Sequence, residues 1–282
     1  MTAKIIDGTK LAEQIKSRVQ KEIKETGLKP KLSVILIGND SASQIYVKKK
    51  HDACQETGII SDQHFFTEKA KETEITDLIE TLNKDKTVSG ILVQVPLPKH
   101  FNEQKIMNLI SPEKDVDGFH PINQGKNVLG QDCFMPATPL GIMRILESIN
   151  IDLQGKNIVL IGASNIVGKP LGLMLLNKNA TITYCNKFTQ NLKDFTVKAD
   201  ILIVAVGKPK LITKNMVKKN AVVIDVGINR LENGKVVGDV DFDKVKEITS
   251  FITPVPKGVG PMTVACLMEN TLKAEKQRRG IN

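Results

Sequence analysis

Tryptophan is absent from the 282-residue sequence, and with tyrosine present 2 times and phenylalanine 9 the aromatic share is only 4%. Binders of single-stranded nucleic acid stack bases on aromatic rings beside a basic groove. The formal charge of +9 comes from lysines spread along the whole chain with no such interleaving, so no nucleic-acid partner is expected. Long apolar runs are missing too. A bilayer-spanning helix takes about 20 apolar residues, whereas the best stretch, Ile201-Leu-Ile-Val-Ala-Val206, stops at Gly207, and no membrane partner is expected. The opening Met1-Thr-Ala-Lys-Ile-Ile-Asp-Gly-Thr-Lys10 mixes charge into every apolar stretch, unlike a signal peptide, which points to the cytoplasm. Cys54, Cys133, Cys185 and Cys266 show neither CxxC nor Cys/His ligand spacing. A zinc site and a disulfide framework are thereby disfavoured, no metal is expected, and the thiols read as reduced and mostly buried.

What is present is an alternation of helical periodicity with short β-branched runs, the signature of α/β units with parallel strands. At roughly 150 residues per domain the length fits two of them. Leu11, Ile15, Val19 and Ile23 recur at helical spacing before the strand-like Lys31-Leu-Ser-Val-Ile-Leu-Ile-Gly38. Ser41 and Gln44 stand at capping-box spacing and open a helix to Gly58. A helix near 73–83 then leads to Gly90-Ile-Leu-Val-Gln-Val95. Residues 112–139, rich in Pro, Gly, Asn and Asp, read as a crossing linker. Beyond it, strands are expected at 157–161, 180–185, 201–206 and 221–226, with helices at 140–149 and 170–176 and a final helix at 263–276. The expected domains are 1–120 plus 262–282, and 121–261.

After the strand Asn157–Ile161 comes Gly162-Ala-Ser-Asn-Ile-Val-Gly168-Lys-Pro170, a context in which backbone N–H groups and a helix N-terminus can hold phosphate. A nucleoside-triphosphate loop follows G-x-x-x-x-G-K-[ST]. This turn is one residue longer and has Pro170 where that hydroxyl should bind magnesium, which disfavours a kinase or ATPase. The strict dinucleotide pattern G-x-G-x-x-G is not met either, because Ser164 replaces the middle glycine and Gly168 comes one residue late. Lys187, just past the next strand, occupies the place where a Rossmann fold distinguishes a ribose hydroxyl from a 2′-phosphate, and a cation there favours NADP. Gly207, Gly227 and Ile228 follow two further strands, where small residues let backbone approach a cofactor.

In the first domain, Tyr46 and Lys50 are four apart on one helix and share a face, while Lys48 and Lys49 point elsewhere. A buried lysine can lose its proton near neutrality. Gln94, at the end of a strand followed by Pro96 and Pro98, is suited to orient another side chain. In Lys114-Asp-Val-Asp-Gly118 the two carboxylates, read as extended chain, face opposite ways, so that one can be structural and the other, Asp117, can meet a ligand. Pro254-Val-Pro-Lys-Gly-Val-Gly-Pro-Met-Thr263 reads as a rigid loop forming a ligand wall, with Pro261 and Thr263 at its end.

Together these strings, with Ser41–Lys50, Val93–Pro98, Pro136-Ala-Thr-Pro139 and Asp225-Val-Gly-Ile-Asn229, resemble the bifunctional methylenetetrahydrofolate dehydrogenase/cyclohydrolase family over essentially the whole chain. The resemblance implies an N-terminal αβα catalytic domain, a C-terminal Rossmann-like NAD(P)-binding domain, and an active-site cleft between them. It implies oxidation of 5,10-methylenetetrahydrofolate with NADP, followed by hydrolysis to 10-formyltetrahydrofolate, in one-carbon metabolism. It gives Lys50 the acid/base role, Gln94 its hydrogen-bond partner, Tyr46 a stacking role and Asp117 the pterin ring, with Pro261 and Thr263 beside the substrate. Gly162, Ala163, Ser164, Ile166, Gly168, Lys187, Gly207, Gly227 and Ile228 are the expected cofactor contacts. The partners implied are a small folate substrate and a second copy of the chain, in a homodimer formed through the Rossmann domain. Three positions depart from the family: Ala163 stands where an arginine usually binds the 2′-phosphate, Lys187 where a serine is frequent, and Lys257 where a glycine is common. Lys187 is expected to restore phosphate binding, and Lys257 to face the anionic glutamate tail of the folate. The competing reading, a monofunctional NAD(P)-dependent dehydrogenase of a small hydroxy or keto acid, predicts no cyclohydrolase activity to lose at Lys50.

Overall fold

The computed structural model describes residues 2–281. In chain order the elements are β1 (Lys4–Ile5), α1 (Gly8–Thr26), β2 (Lys31–Ile37), α2 (Ser41–Thr57), β3 (Ile60–Phe66), α3 (Glu72–Lys84), β4 (Gly90–Val93), α4 (Glu103–Met107), α5 (Pro121–Val128) and α6 (Ala137–Ser148). They continue with β5 (Asn157–Ile161), α7 (Gly168–Leu176), β6 (Thr181–Cys185), α8 (Leu192–Thr196), β7 (Ile201–Val204), β8 (Val222–Asp225), β9 (Asn229–Arg230), β10 (Val236–Val237), α9 (Phe242–Val245), β11 (Phe251–Ile252) and α10 (Val259–Arg278). Among the described residues no helix is long and apolar enough to cross a membrane.

The chain divides into two compact units. One takes Glu13–Ala137 and the chain from Val264; the other takes the chain up to Ala12 and Thr138–Thr263. Each is an α/β unit around its own parallel sheet, as expected.

In the Glu13–Ala137 unit the sheet order is β3-β2-β4, with every pairing parallel. The central strand β2 buries all but its first residue, as a strand covered on both faces must. Ile35, Ile37 and Val93 pack against Ile75, Ile79 and Leu82 of α3 and against Phe101 and Ile106. Each such buried aliphatic side chain contributes about 1.5–3 kcal/mol relative to exposure. The turns after β4 and the helix α5 belong here, whereas the expected division places residues 121–137 in the nucleotide-binding domain. Long-range bonds explain the difference: Asn270 Nδ2 donates to the carbonyls of Val116 and Met135, each at 2.8 Å, and Lys273 binds the Cys133 carbonyl at 2.8 Å.

The other unit carries a six-stranded sheet in the order β1-β11-β8-β7-β5-β6, again parallel. Its core joins Val159 and Ile161 to Leu202, Val204, Val223 and Ile252. The N-terminal segment, expected with the first domain, instead supplies the edge strand β1, which pairs Lys4 with Phe251 and Ile5 with Ile252. The chain leaves β5 for β6 on one side and returns to β7 on the other. Ligands of open α/β sheets bind at the carboxyl ends of strands beside such a reversal.

Candidate active site

Asp40, not the expected Ser41, caps α2: its carboxylate accepts the Ser43 N–H at 2.7 Å, and the helix ends at Gly58, whose left-handed φ of 84° suits glycine. Capping sets the register that turns Tyr46, Lys50 and Cys54 to one face, while Lys48 and Lys49 remain exposed. Tyr46 is half-buried, Lys50 is 7% exposed, and Cys54 is fully buried with Sγ 3.7 Å from Met268 Sδ.

Lys50 Nζ donates to Gln94 Oε1 at 2.9 Å. Gln94 in turn donates its amide N–H to the Val95 carbonyl at 2.8 Å, which fixes the amide so that its oxygen faces the lysine. Burial pushes the Lys50 pKa below its ordinary value, with the charge of Asp117 and, less, Cys54 opposing the shift. Asp117 moves the other way: burial raises its pKa and the Lys50 ammonium lowers it. The Cys54 thiol, pushed up to about 12 by burial, stays protonated beside the amine.

Lys114–Gly118 is a succession of turns, not the extended chain expected, but its two carboxylates do divide their labour. Ile91 N donates to Lys114 O at 2.8 Å, so the segment runs beside β4. Lys114 Nζ caps the C-terminal end of α3, donating to the carbonyls of Leu82, Asn83 and Asp85 at 2.8, 2.8 and 2.7 Å. Asp115 is buried and accepts from Phe119 N, His120 N and Asn123 Nδ2, while burial pushes its pKa up to about 7 against these bonds. These anchors hold the turn at both ends and leave the half-buried Asp117 carboxylate without a hydrogen bond among the described residues. Tyr46, Lys50, Gln94 and Asp117 thus share one unit, with Lys50 bonded to Gln94 and electrostatically coupled to Asp117.

The expected cofactor residues gather at the carboxyl ends of four adjacent strands of the other unit. Register places Ile161 beside Cys185 and Val204, and Val204 beside Asp225, so Gly162, Lys187, Gly207, Gly227 and Ile228 leave neighbouring strand ends. The turn fits a dinucleotide phosphate on its own geometry. Gly162 has φ 110°, and a Cβ there would sit 2.2 Å from Ala205 O; one on Gly168 would sit 1.9 Å from Gly162 O. Only bare backbone lets the first turn of α7 close against β5 and β7 and present its N–H groups. Ser164 Oγ accepts Val167 N at 3.1 Å, steadying the turn. Ala163 is half-buried, and Ser164, Ile166 and Ile228 are exposed. Lys187 is exposed in a turn closed by Asn186 N to Thr189 Oγ1 at 2.9 Å, with Nζ 5.0 Å from the Phe188 ring centroid. Pro261 and Thr263 lie in the first turns of α10 in this same unit, and the Thr263 hydroxyl meets that of Thr138 at 2.9 Å.

Gly227 has a reason the sequence did not show. Its Cβ would fall 2.2 Å from the Asp239 carboxylate, so that acidic side chain by itself demands the glycine. Asp239 and its neighbour Asp225 are both buried. The backbone donors of Asp239 come from residues more than thirty positions earlier, and no local spacing signals them.

Two family profiles match the chain: the catalytic domain of tetrahydrofolate dehydrogenase/cyclohydrolase over residues 6–117, and the NAD(P)-binding domain of the same family over residues 136–279. The chain is 53% identical over 280 residues to the bifunctional protein FolD of Bacillus anthracis, covering 98% of each. Its structure superposes on the bifunctional FolD methylenetetrahydrofolate dehydrogenase/cyclohydrolase of Campylobacter jejuni with TM-score 0.96 and 50% identity, covering 98% and 99% of the two chains. The Trypanosoma brucei methylenetetrahydrofolate dehydrogenase–cyclohydrolase, solved with NADP and an inhibitor, matches with TM-score 0.94 and 32% identity over 98% of both chains.

Proposed function

The chain belongs to the tetrahydrofolate dehydrogenase/cyclohydrolase family, and from that membership we infer that it oxidises 5,10-methylenetetrahydrofolate to the 5,10-methenyl form and hydrolyses this to 10-formyltetrahydrofolate, with Lys50 as the acid/base. The observation that carries the assignment is the buried Lys50 bonded to the neutral Gln94.

The bound nicotinamide dinucleotide supplies the hydride acceptor for the first step. Around the folate, Tyr46 offers a half-buried ring for stacking, and Asp117 offers an unengaged carboxylate to the N–H edge of the pterin. Burial moves Lys50 toward the free amine, and a methenyl cation beside it favours that neutral form further. The amine takes a proton from the water that adds to the cationic carbon. The resulting ammonium gives a proton to N5 as the carbon–N5 bond breaks, and the hydroxyl of the adduct loses its proton to solvent as its C=O forms, leaving the formyl group on N10 with one net proton released. Gln94 Oε1 accepts an N–H from either protonation state, so the amine stays in place through both steps. Purified protein given methylenetetrahydrofolate and NADP should build up and then lose methenyl absorbance while the nicotinamide is reduced. Absence of both changes refutes the function.

NADP is the preferred nucleotide in this reading, and Lys187 its 2′-phosphate ligand in place of the arginine that Ala163 lacks. Support comes from the place of Lys187 two residues beyond the β6 end, beside the Gly162 turn. A charge-assisted bond to phosphate contributes roughly 1.5–3 kcal/mol, so Lys187→Ala should lower the NADP-to-NAD affinity ratio about tenfold or more. Calorimetric Kd values for the two nucleotides check this, and an unchanged ratio defeats it. A homodimer through this unit is supported by β6 as an edge strand, with Tyr184 41% and Phe188 79% exposed along it and just past it.

A further inference from the structure

The loops that follow β7 and β8 are bound to each other by two buried carboxylates. Asp239 Oδ2 accepts the N–H groups of Val206 at 2.8 Å and Gly207 at 3.0 Å, while Oδ1 accepts those of Lys208 and the Asn229 amide, both at 2.8 Å. Asp225 Oδ1 accepts Gly227 N and Asp239 N, each at 3.0 Å, and Oδ2 accepts Val240 N at 2.9 Å. The glycines nearby are shaped to this pair: a Cβ on Gly227 would strike Asp239, and one on Gly238 would lie 1.9 Å from Asp225 Oδ2. By contrast a Cβ on Gly207 would meet nothing within 4 Å, so the outer face of its loop is open. A full set of strong donors has therefore been spent on the inner side of a loop whose outer side lies at the strand ends where the dinucleotide is read to bind.

We propose that Asp239 is a positioning residue for the dinucleotide, its carboxylate drawing the three successive N–H groups of 206–208 and the Asn229 side chain into the single backbone path against which the cofactor lies. This deepens the functional reading above and rests on it. Backbone N–H groups cannot change their sense, so only an acceptor-only group satisfies all of them at once. In Asp239→Asn the new amide N–H₂ must face either the Val206 and Gly207 pair or the Lys208 and Asn229 pair. The second is less adverse, because Asn229 can turn its oxygen inward, but Lys208 N–H then confronts a donor and the loop must shift.

Losing a charge-assisted bond and leaving a buried N–H unmet should weaken NADP binding about 10- to 100-fold, read as Kd by titration calorimetry. Cyclohydrolase activity, assayed on supplied methenyltetrahydrofolate without nucleotide, should stay within about twofold of wild type, since Lys50, Gln94 and Asp117 lie in the other unit. Asn229→Ala, which removes one donor and keeps the carboxylate, should weaken NADP binding in the same direction by a smaller factor and decides the matter if Asp239→Asn does not fold. An unchanged Kd in either folded variant overturns the proposal, as does a parallel loss of NADP binding and cyclohydrolase activity, which marks a merely structural role. A wild-type protein lacking both activities would instead overturn the functional reading, before any variant is made.

Discussion

Lys50→Met should abolish the hydrolysis of methenyltetrahydrofolate, lowering its kcat by about 10³-fold, while leaving hydride transfer within about tenfold of wild type. General acid/base groups contribute some 10²- to 10⁴-fold, and here one amine serves both the addition of water and the opening of the ring, which places the loss toward the upper end. Hydride transfer needs no proton from Lys50, so the dehydrogenase keeps its chemistry and loses only what the amine contributes to substrate positioning. The same substitution separates catalysis from stability. Folding lowers the Lys50 pKa below the unfolded value of about 10.4. The unfolded chain therefore holds that proton more tightly, and the destabilisation is greatest below the folded pKa and disappears as pH rises through the unfolded one. Methionine, similar in length and neutral, removes that cost but leaves Gln94 Oε1 without its donor, a loss of about 1 kcal/mol. By denaturant unfolding the variant should lack the gain in stability that wild type shows as pH rises through the Lys50 titration. Normal hydrolysis by a folded Lys50→Met protein would refute the assignment of the acid/base.

The parts of the site written in contiguous sequence were legible there: Tyr46 and Lys50 at helical spacing, Gln94 at a strand end, and a glycine-bounded turn between β5 and α7. Each depends on spacing within one element and its immediate neighbours, which a periodic pattern preserves. Elements held by distant partners were not. Strand β3 reads Ile-Ser-Asp-Gln-His-Phe-Phe and has no alternation, because its polar side chains are met by neighbouring elements: Ser61 by His51 of α2 at 3.0 Å, and Asp62 by Ser33 of β2 at 3.1 Å. Helix α5 hid in a composition suited to a linker. It forms because Pro121 fits the first helical turn, the His120 ring nitrogen accepts Ile122 N at 3.1 Å, and Asn123 reaches back to Asp115 at 2.9 Å. The two-residue strands β1 and β11 carry no period of their own and exist through pairing with each other and with β8.

Asp117→Ala should lower kcat/KM for folate about 10²-fold in both reactions, because it removes the acceptor for the pterin that each reaction uses. The loss should fall mainly on KM, since the carboxylate binds the ring in ground and transition states alike. A second effect separates charge from hydrogen bonding. The Asp117 charge holds the Lys50 pKa up against burial, so neutralising it lets that pKa fall further and raises the fraction of free amine at a given pH. The rising limb of the cyclohydrolase rate–pH profile, which reports loss of the lysine proton, should then move to lower pH in Asp117→Asn, a variant that keeps a carbonyl acceptor for the pterin. The dehydrogenase profile, which needs no amine, should not move with it. A drop in hydrolysis alone, with the dehydrogenase kcat/KM untouched, would show that Asp117 serves Lys50 and not the pterin. An unmoved cyclohydrolase profile in Asp117→Asn would show that the two groups are not coupled through their charges.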